Sequence, residues 1–105
     1  MEGVTSPGQI TDNQEASRFE FVAEGSRAEL HYRRRGNRLV ITHTGVPAEL
    51  EGRRIGSALV AAAVDRAIAE HLTVVPLCPF ARGWLERHPD IAARVAVDWG
   101  TESAP

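Results

Sequence analysis

The sequence predicts a mixed α+β (α/β-like) fold, in which an antiparallel meander of strands is followed by a βαβ crossover with helices packed on the sheet. Three observations predict it. Apolar and polar residues alternate between residues 18 and 44, which is the period of a strand. Between residues 55 and 72 apolar residues recur every three or four positions, as in a helix, and a β-branched run follows at 73–77.

The meander contains three predicted strands and two turns. The first strand begins at Arg18 and ends where Glu24-Gly25-Ser26 interrupts the alternation. The second strand spans 27–34 and the third spans 38–44. Between them Arg35-Gly36-Asn37 supplies residues that tolerate positive φ, so consecutive strands are expected to pair antiparallel.

The βαβ crossover follows a predicted loop at 45–54, which contains Pro47. The apolar residues of the long helix are Ile55, Leu59, Val60, Ala63, Val64, Ala67, Ile68 and Leu72. A short strand is predicted at 73–77, and a second helix at 79–88 that Pro89 ends. The fourth strand should therefore lie parallel to the third, with the helix on one face of the sheet.

The length and composition fit one small domain. Residues 1–17 and 100–105 are polar and lack periodicity, so they are predicted to be disordered tails around a domain at 18–99. A net charge of −2 gives no general attraction to nucleic acid or anionic membranes, and no apolar run is long enough to cross a bilayer. The start of the chain does not have the pattern of a secretory signal, so a cytoplasmic location is expected. The sequence carries no signal for an oligomeric state.

The loop that enters the long helix is the first candidate site. The first turn of a helix presents unpaired N–H groups and a partial positive charge. Gly56, Ser57 and Ala58 are small enough to let a phosphate approach that backbone, and Arg53 and Arg54 add positive charge. A pyrophosphate would fit there. The alternative is that Gly56 and Ser57 merely begin a helix, because short glycine motifs are weak evidence.

The second candidate site follows the fourth strand. Pro76 has no N–H to give to a neighbouring strand, so the sheet should open beside it and leave a slot for an extended, amide-bearing arm. Cys78 precedes Pro79, which suits the first position of a helix, so the cysteine is predicted at the helix N-cap. The helix dipole favours the thiolate there, which makes Cys78 a candidate nucleophile. The alternative, a buried packing residue, is favoured.

Two histidines and one basic segment are also candidates. His43 ends a strand beside the predicted slot, where its imidazole could deprotonate an amine; a hydrogen-bonded residue at a strand end is the alternative. His88, before Pro89, is more typical of a cap on the last carbonyls of a helix. The basic residues of 33–38 lack interleaved aromatic residues and are typical of a solvated hairpin tip rather than a nucleic-acid site.

Four segments together resemble the small stand-alone GNAT-like N-acetyltransferases of the YjdJ type. They are Thr42-His43-Thr44-Gly45-Val46-Pro47, the loop 51–58, Pro76-Leu77-Cys78-Pro79-Phe80 and Arg87-His88-Pro89, and the resemblance covers residues 18–92. It implies a GNAT-type fold and acetyl-coenzyme A as cofactor. The cofactor-contacting positions that it implies are Val46, Arg53, Arg54, Ile55, Gly56, Ser57, Ala58, Leu77, Cys78 and Phe80.

The sequence departs from that pattern at three positions. Glu51 stands where the superfamily has Arg or Gln, and Arg54 replaces the first glycine of the loop. Trp84 stands where relatives carry a tyrosine that protonates the departing thiolate, which an indole N–H cannot do. The resemblance therefore implies acetyl transfer from acetyl-coenzyme A to an amine of unknown identity, by direct attack or through an acetyl-Cys78 intermediate. The alternative is a module that binds or senses acyl-coenzyme A without catalysis.

Overall fold

The computed structural model describes residues 10–100 and joins their strands into one sheet, in the order β1-β2-β3-β4-β5-β6. The strands are β1 (Ile10–Asn13), β2 (Arg18–Ala23), β3 (Ser26–Arg35), β4 (Arg38–Gly45), β5 (Thr73–Pro76) and β6 (Ala96–Val97). The helices are α1 (Ile55–Glu70), α2 (Pro79–Arg87) and α3 (Pro89–Ala92), and a 3-10 turn lies at Ala48–Leu50. Residues 1–9 and 101–105, which belong to the predicted tails, lie outside the described residues.

The meander predicted between residues 18 and 44 is confirmed. β2 pairs antiparallel with β3, and β3 pairs antiparallel with β4. Both connecting turns place a glycine at positive φ, Gly25 at 78° and Gly36 at 59°, which residues with a Cβ rarely adopt. Alternate side chains of β3 are buried, namely Ala28, Leu30 and Tyr32, and their neighbours point to the opposite face of the sheet.

The βαβ crossover is also confirmed, because β5 pairs parallel with β4. The helix buries Ile55, Gly56, Leu59, Val60, Ala63, Val64 and Ala67. A second parallel crossover leads through α2 and α3 to β6, which pairs with β5 on its other side. Since parallel crossovers are right-handed and both run in the same direction along the sheet, α1 and α2 lie on the same face, here called the inner face. Within residues 10–100 no helix has the length and apolar character needed to span a bilayer.

The predicted boundaries of the domain need correction at the N-terminal side. The expectation of disorder through residue 17 is wrong for residues 10–17, because β1 pairs antiparallel with β2, Ile10 opposite Phe21 and Asp12 opposite Phe19, and a turn joins the two strands. The polar sequence of β1 has no strand periodicity, so its structure depends on this pairing. β6 has only two residues and was likewise not predicted.

A polar cluster fixes β1 to the rest of the fold. The Tyr32 hydroxyl donates to Asp12 Oδ1 at 2.7 Å, while Arg66 Nη1 lies 3.0 Å from Asp12 Oδ2 and 2.8 Å from the Tyr32 oxygen. The Arg66 guanidinium also lies 5.3 Å from the centre of the Tyr32 ring, and its Nε pairs with Glu70. One arginine of α1 therefore holds both β1 and β3.

Stability is expected to fall between pH 10 and pH 12. Burial, together with the hydrogen bond and the charge of Asp12, raises the pKa of Tyr32 to about 12, although Arg66 acts in the opposite direction. An unfolded chain loses this proton near pH 10, so between the two values the folded state binds more protons than the unfolded state. The stabilisation is complete below pH 10, and up to about 2.7 kcal/mol of unfolding free energy is lost by pH 12.

Urea unfolding at pH 9, 10 and 11 measures this loss. The chain has one tyrosine and no lysine, so few other groups titrate in this range. Tyr32→Phe should remove the slope, and an equal slope in that variant would contradict the assignment.

Candidate functional site

The N-terminus of α1 is open to an anionic ligand. Its N-cap, Arg54, makes no side-chain capping bond, and no acidic residue lies in the first turn. Among the described residues the N–H groups of Ile55, Gly56 and Ser57 have no acceptor, and the first bond of the helix is from the Ala58 N–H to the Arg54 oxygen. Free N–H groups at a helix start are a binding site for phosphate oxygens.

The main chain at Arg54 is in the left-handed conformation, with φ 59° and ψ 28°. A residue with a Cβ is disfavoured there, whereas glycine adopts this conformation without a steric penalty. The conformation reverses the chain between Gly52, itself at φ 85°, and the first turn of α1. Strain at Arg54 is therefore a local cost of keeping an additional guanidinium at this site.

Replacing Arg54 with glycine is expected to raise the free energy of unfolding by about 0.5–1 kcal/mol, because glycine adopts the left-handed conformation without a steric penalty. Urea denaturation measures the change. The adjacent Arg53→Gly variant is the matched control, since Arg53 is not at positive φ and gains nothing from glycine. An Arg54→Gly protein no more stable than the parent would disprove the strain.

A cleft of about 360 Å³ begins at these free N–H groups. Its lining residues are Thr44, Val46, Leu50, Glu51, Gly52, Arg54, Ile55, Gly56, Ser57 and Phe80. Gly56 lies against the Phe80 ring, since a Cβ at residue 56 would be 3.0 Å from Phe80 Cζ and 3.6 Å from Val46 Cγ2. The absence of a side chain at Gly56 thus lets the Phe80 ring pack directly against the start of α1.

β4 and β5 separate at this cleft, as Pro76 predicts. Their pairing ends with Ile41 opposite Pro76, and the N–H groups of Leu77 and Cys78 both donate to the Ile41 oxygen at 3.0 Å. β4 continues to Gly45, so in the described chain the edge of residues 42–45 that faces β5 has no strand partner. An extended ligand with amide groups could form strand-like hydrogen bonds to that edge.

Cys78 is the N-cap of α2, as predicted, and is only 4% exposed. Its thiol donates to Thr44 Oγ1 at 3.5 Å and so connects the two separating strands. Thr44 lines the cleft on the side of Cys78. The sequence analysis missed Thr44 as a site residue, although it lies within the Thr42–Pro47 segment.

The other predicted site residues are distributed around the cleft. Val46, Arg54, Ile55, Gly56, Ser57 and Phe80 line it. Arg53 points elsewhere and pairs with Glu24 at 2.8 Å, and the N–H of Ala58 is used inside the helix. Leu77 is 63% exposed and lines a neighbouring groove beyond β5.

His43 lies on the outer face of the sheet, opposite to the cleft. The register of β3 and β4 shifts between His31 and Tyr32, because Thr42 is an extra residue in β4. His43 therefore pairs with His31 and points outward, while Thr44 pairs with the buried Leu30 and points inward. The two adjacent residues of β4 thus serve different faces of the sheet.

Trp84 and His88 pack together at the C-terminal end of α2. Trp84 is buried, and its ring stacks on the His88 ring with centres 4.2 Å apart. His88 Nδ1 lies 2.7 Å from the Trp84 oxygen, which can only accept, so Nδ1 carries the proton. His88 thereby caps the end of α2, in agreement with the sequence prediction.

Comparisons with known proteins agree with this architecture. A solution NMR structure of a GCN5-like protein from Staphylococcus aureus superposes with a TM-score of 0.68 and 28% sequence identity, over 90% of this chain and 93% of that one. A comparison with curated proteins finds no match. A family model described as GCN5-related N-acetyl-transferase matches residues 18–95, which is most of the described domain. The chain therefore belongs to the GCN5-related N-acetyltransferase family.

Proposed function

We propose that this protein transfers an acetyl group from acetyl-coenzyme A to an amine. The observation that carries the proposal is the position of three free N–H groups, at the start of α1, directly beside the unpaired edge of β4. Coenzyme A combines a pyrophosphate with a long arm that contains amides. The free N–H groups thus fit the pyrophosphate, and the unpaired edge of β4 fits the amide-bearing arm. No carboxylate lies in the first turn of α1 to compete with the phosphate for these N–H groups.

Each group of residues has a separate binding task in this proposal. The N–H groups of Ile55, Gly56 and Ser57 hold the pyrophosphate, and the Arg54 guanidinium lies beside it. The edge of residues 42–45 binds the amide-bearing arm, and Val46 and Phe80 cover its apolar parts. Bound acetyl-coenzyme A supplies the thioester that an amine attacks.

Direct attack by the amine is the proposed route, and the burial of Cys78 supports it. The thiol is 4% exposed and already hydrogen-bonded to Thr44, so a nucleophilic role would require it to leave this contact. Cys78 instead joins β4 to the start of α2. The residue then maintains the shape of the cleft rather than carrying an acetyl group.

Cys78→Ala is therefore expected to keep turnover within about threefold of the parent and to lower the unfolding free energy by about 1 kcal/mol. Steady-state kinetics with acetyl-coenzyme A and an amine that the parent acetylates measure the turnover. Urea denaturation measures the free energy of unfolding. A loss of activity by about a hundredfold or more in a variant that is folded and still binds coenzyme A would contradict this expectation and favour the covalent route instead.

A non-catalytic sensor of acyl-coenzyme A is the second candidate function. Trp84 favours it, because it stands where the resemblance implies a tyrosine that protonates the departing thiolate, and an indole N–H cannot do so. Incubating the protein with acetyl-coenzyme A and a panel of primary amines separates the two functions. Product formed at a rate proportional to protein concentration supports the transferase, whereas coenzyme binding without product from any amine supports the sensor.

We place this activity in the cytoplasm, without a nucleic-acid or membrane partner. A single, buried thiol is compatible with a reducing compartment. Arg33 and Arg35 are exposed at the hairpin tip, and among residues 10–100 neither guanidinium lies over an aromatic ring, which favours a solvated surface over binding of bases.

A further inference from the structure

The outer face of the sheet carries a second cleft, of about 410 Å³, at the same end as the first. Its polar lining consists of Arg27, Glu29, His31 and His43, and Gly45, Val46 and Pro47 complete it. Val46 lines both clefts. The two clefts therefore adjoin at the end of β4 and share Val46 as a wall, with Thr44 on the inner side and His43 on the outer side.

Glu29 is the acidic group of the outer cleft. Its Oε1 lies 2.7 Å from His31 Nε2, and its Oε2 lies 2.6 Å from Arg27 Nε. Partial burial acts to raise the pKa of Glu29, but the hydrogen bonds from His31 and Arg27 outweigh it and lower the pKa below the usual value. The carboxylate is therefore anionic at neutral pH and faces Gly45 across the strand pair.

Arg27 has unused hydrogen-bonding capacity. Its ion pair with Glu29 uses Nε, and among the described residues the two terminal nitrogens of the guanidinium have no partner. The side chain is about half exposed at the mouth of the cleft. A guanidinium with two free terminal nitrogens is suited to a carboxylate, which it can bind in a bidentate manner.

His43 lines the same cleft as this pair of opposite charges. Its ring centre lies 5.9 Å from that of His31. Gly45 leaves room for the imidazole, because a Cβ at residue 45 would be 3.1 Å from His43 Nε2. The cluster is not a metal centre, since within residues 10–100 no three ligating side chains converge suitably.

From this arrangement we infer that the outer cleft is the acceptor site, and that the acceptor is an amine that also carries a carboxylate, such as an amino acid. The inference rests on the proposed acetyl transfer. Glu29 binds the ammonium group near Gly45, Arg27 binds the carboxylate at the mouth, and His43 accepts the proton that the ammonium loses. The amine then reaches the thioester past Val46, where the two clefts adjoin.

The protons and bonds of this step balance. His43 takes one proton from the ammonium and releases it to solvent, and the free amine nitrogen forms a bond to the acetyl carbon. The carbon–sulfur bond breaks, and the second proton lost by the nitrogen ends on the coenzyme sulfur. The products are an N-acetylated acid, coenzyme A and one proton.

Binding can be tested without the coenzyme. The four histidines give separate imidazole signals in NMR, and lysine is titrated as the probe. The signals of His31 and His43 should shift, while those of His71 and His88, which lie outside the cleft, should not. Shifts of all four or of none would overturn the assigned site.

Kinetics with a matched pair of acceptors test the chemical class. Lysine should be acetylated with a kcat/KM about fivefold above that of 1,5-diaminopentane, which has the same chain without the carboxylate, and Arg27→Gln should abolish the preference. Glu29→Gln should raise the KM for the amine about tenfold with little change in kcat, whereas His43→Gln should lower kcat about a hundredfold. Glu20→Gln is the control, since Glu20 lies on β2 directly opposite Glu29 and outside the cleft.

These outcomes separate the acceptor site from the transferase activity. Acetylation of amines with full activity in Glu29→Gln and His43→Gln would overturn the acceptor site and leave the transferase intact. Failure to bind coenzyme A or to acetylate any amine would overturn both.

Discussion

Replacing Gly56 with glutamate is expected to weaken coenzyme A binding about a hundredfold, which corresponds to about 2.7 kcal/mol. A side chain at this position displaces the Phe80 ring from the start of α1, and a carboxylate on it is expected to reach the free N–H groups of the first turn. It therefore replaces the phosphate as their acceptor. A carboxylate in the first turn also favours the helix, so the variant is expected to fold.

Gly56→Gln is the matched control for Gly56→Glu, because it has nearly the same shape without the charge. It should lose only about tenfold in affinity, by steric contact with the Phe80 ring, which is half exposed and able to move. Isothermal titration calorimetry with coenzyme A measures all three proteins. Equal affinities for Gly56→Glu and the parent would show that the ligand does not bind at the start of α1.

Replacing Arg66 with alanine is expected to lower the free energy of unfolding by about 3 kcal/mol. The side chain is only 11% exposed, and its loss leaves the partly buried Asp12 carboxylate without its cation. The Tyr32 hydroxyl also loses a contact, and β1 loses its connection to α1. A loss of this size exceeds that expected for a surface ion pair, which contributes up to about 1 kcal/mol.

Urea denaturation measures the effect of Arg66→Ala, with Arg33→Ala as the control. Arg33 is an exposed arginine of β3, and it forms no ion pair with any residue between 10 and 100. Its replacement should change the stability by less than about 0.5 kcal/mol. An Arg66→Ala protein that loses less than 1 kcal/mol would show that Arg66 contributes no more than a surface ion pair to holding β1.

The core of the fold could be predicted because the spacing of its apolar residues is visible within each continuous segment of the sequence. The alternation of β2 to β4 and the helical period of α1 each follow from local sequence, and the parallel pairing of β5 follows from the crossover. β1 was missed because Ile10–Asn13 has no apolar alternation and gains its structure from β2 and from Arg66. The family resemblance is confirmed at the level of the GCN5-related N-acetyltransferases.

The parts of the candidate site that lie where a helix starts or a strand pair ends could be predicted from the sequence. The parts that depend on how β3 and β4 are aligned could not. The start of α1 and the separation of β4 from β5 follow from Gly56 and Pro76. The position of Arg53 could not be predicted, because its partner Glu24 belongs to a hairpin that is distant in the sequence. The sequence also could not predict that His43 and Thr44 point to opposite faces of the sheet, because this follows from the extra residue Thr42 in β4.

Titration of the isotope-labelled protein with ADP, followed by NMR of the backbone amides, tests the central claim most directly. ADP contains the pyrophosphate of the coenzyme without its arm. We expect the largest shifts at the N–H groups of Ile55, Gly56 and Ser57, with little change along residues 42–45 until coenzyme A itself is added. If the amide signals of residues 55–57 stay unchanged at saturating ADP and at saturating coenzyme A, the account is contradicted.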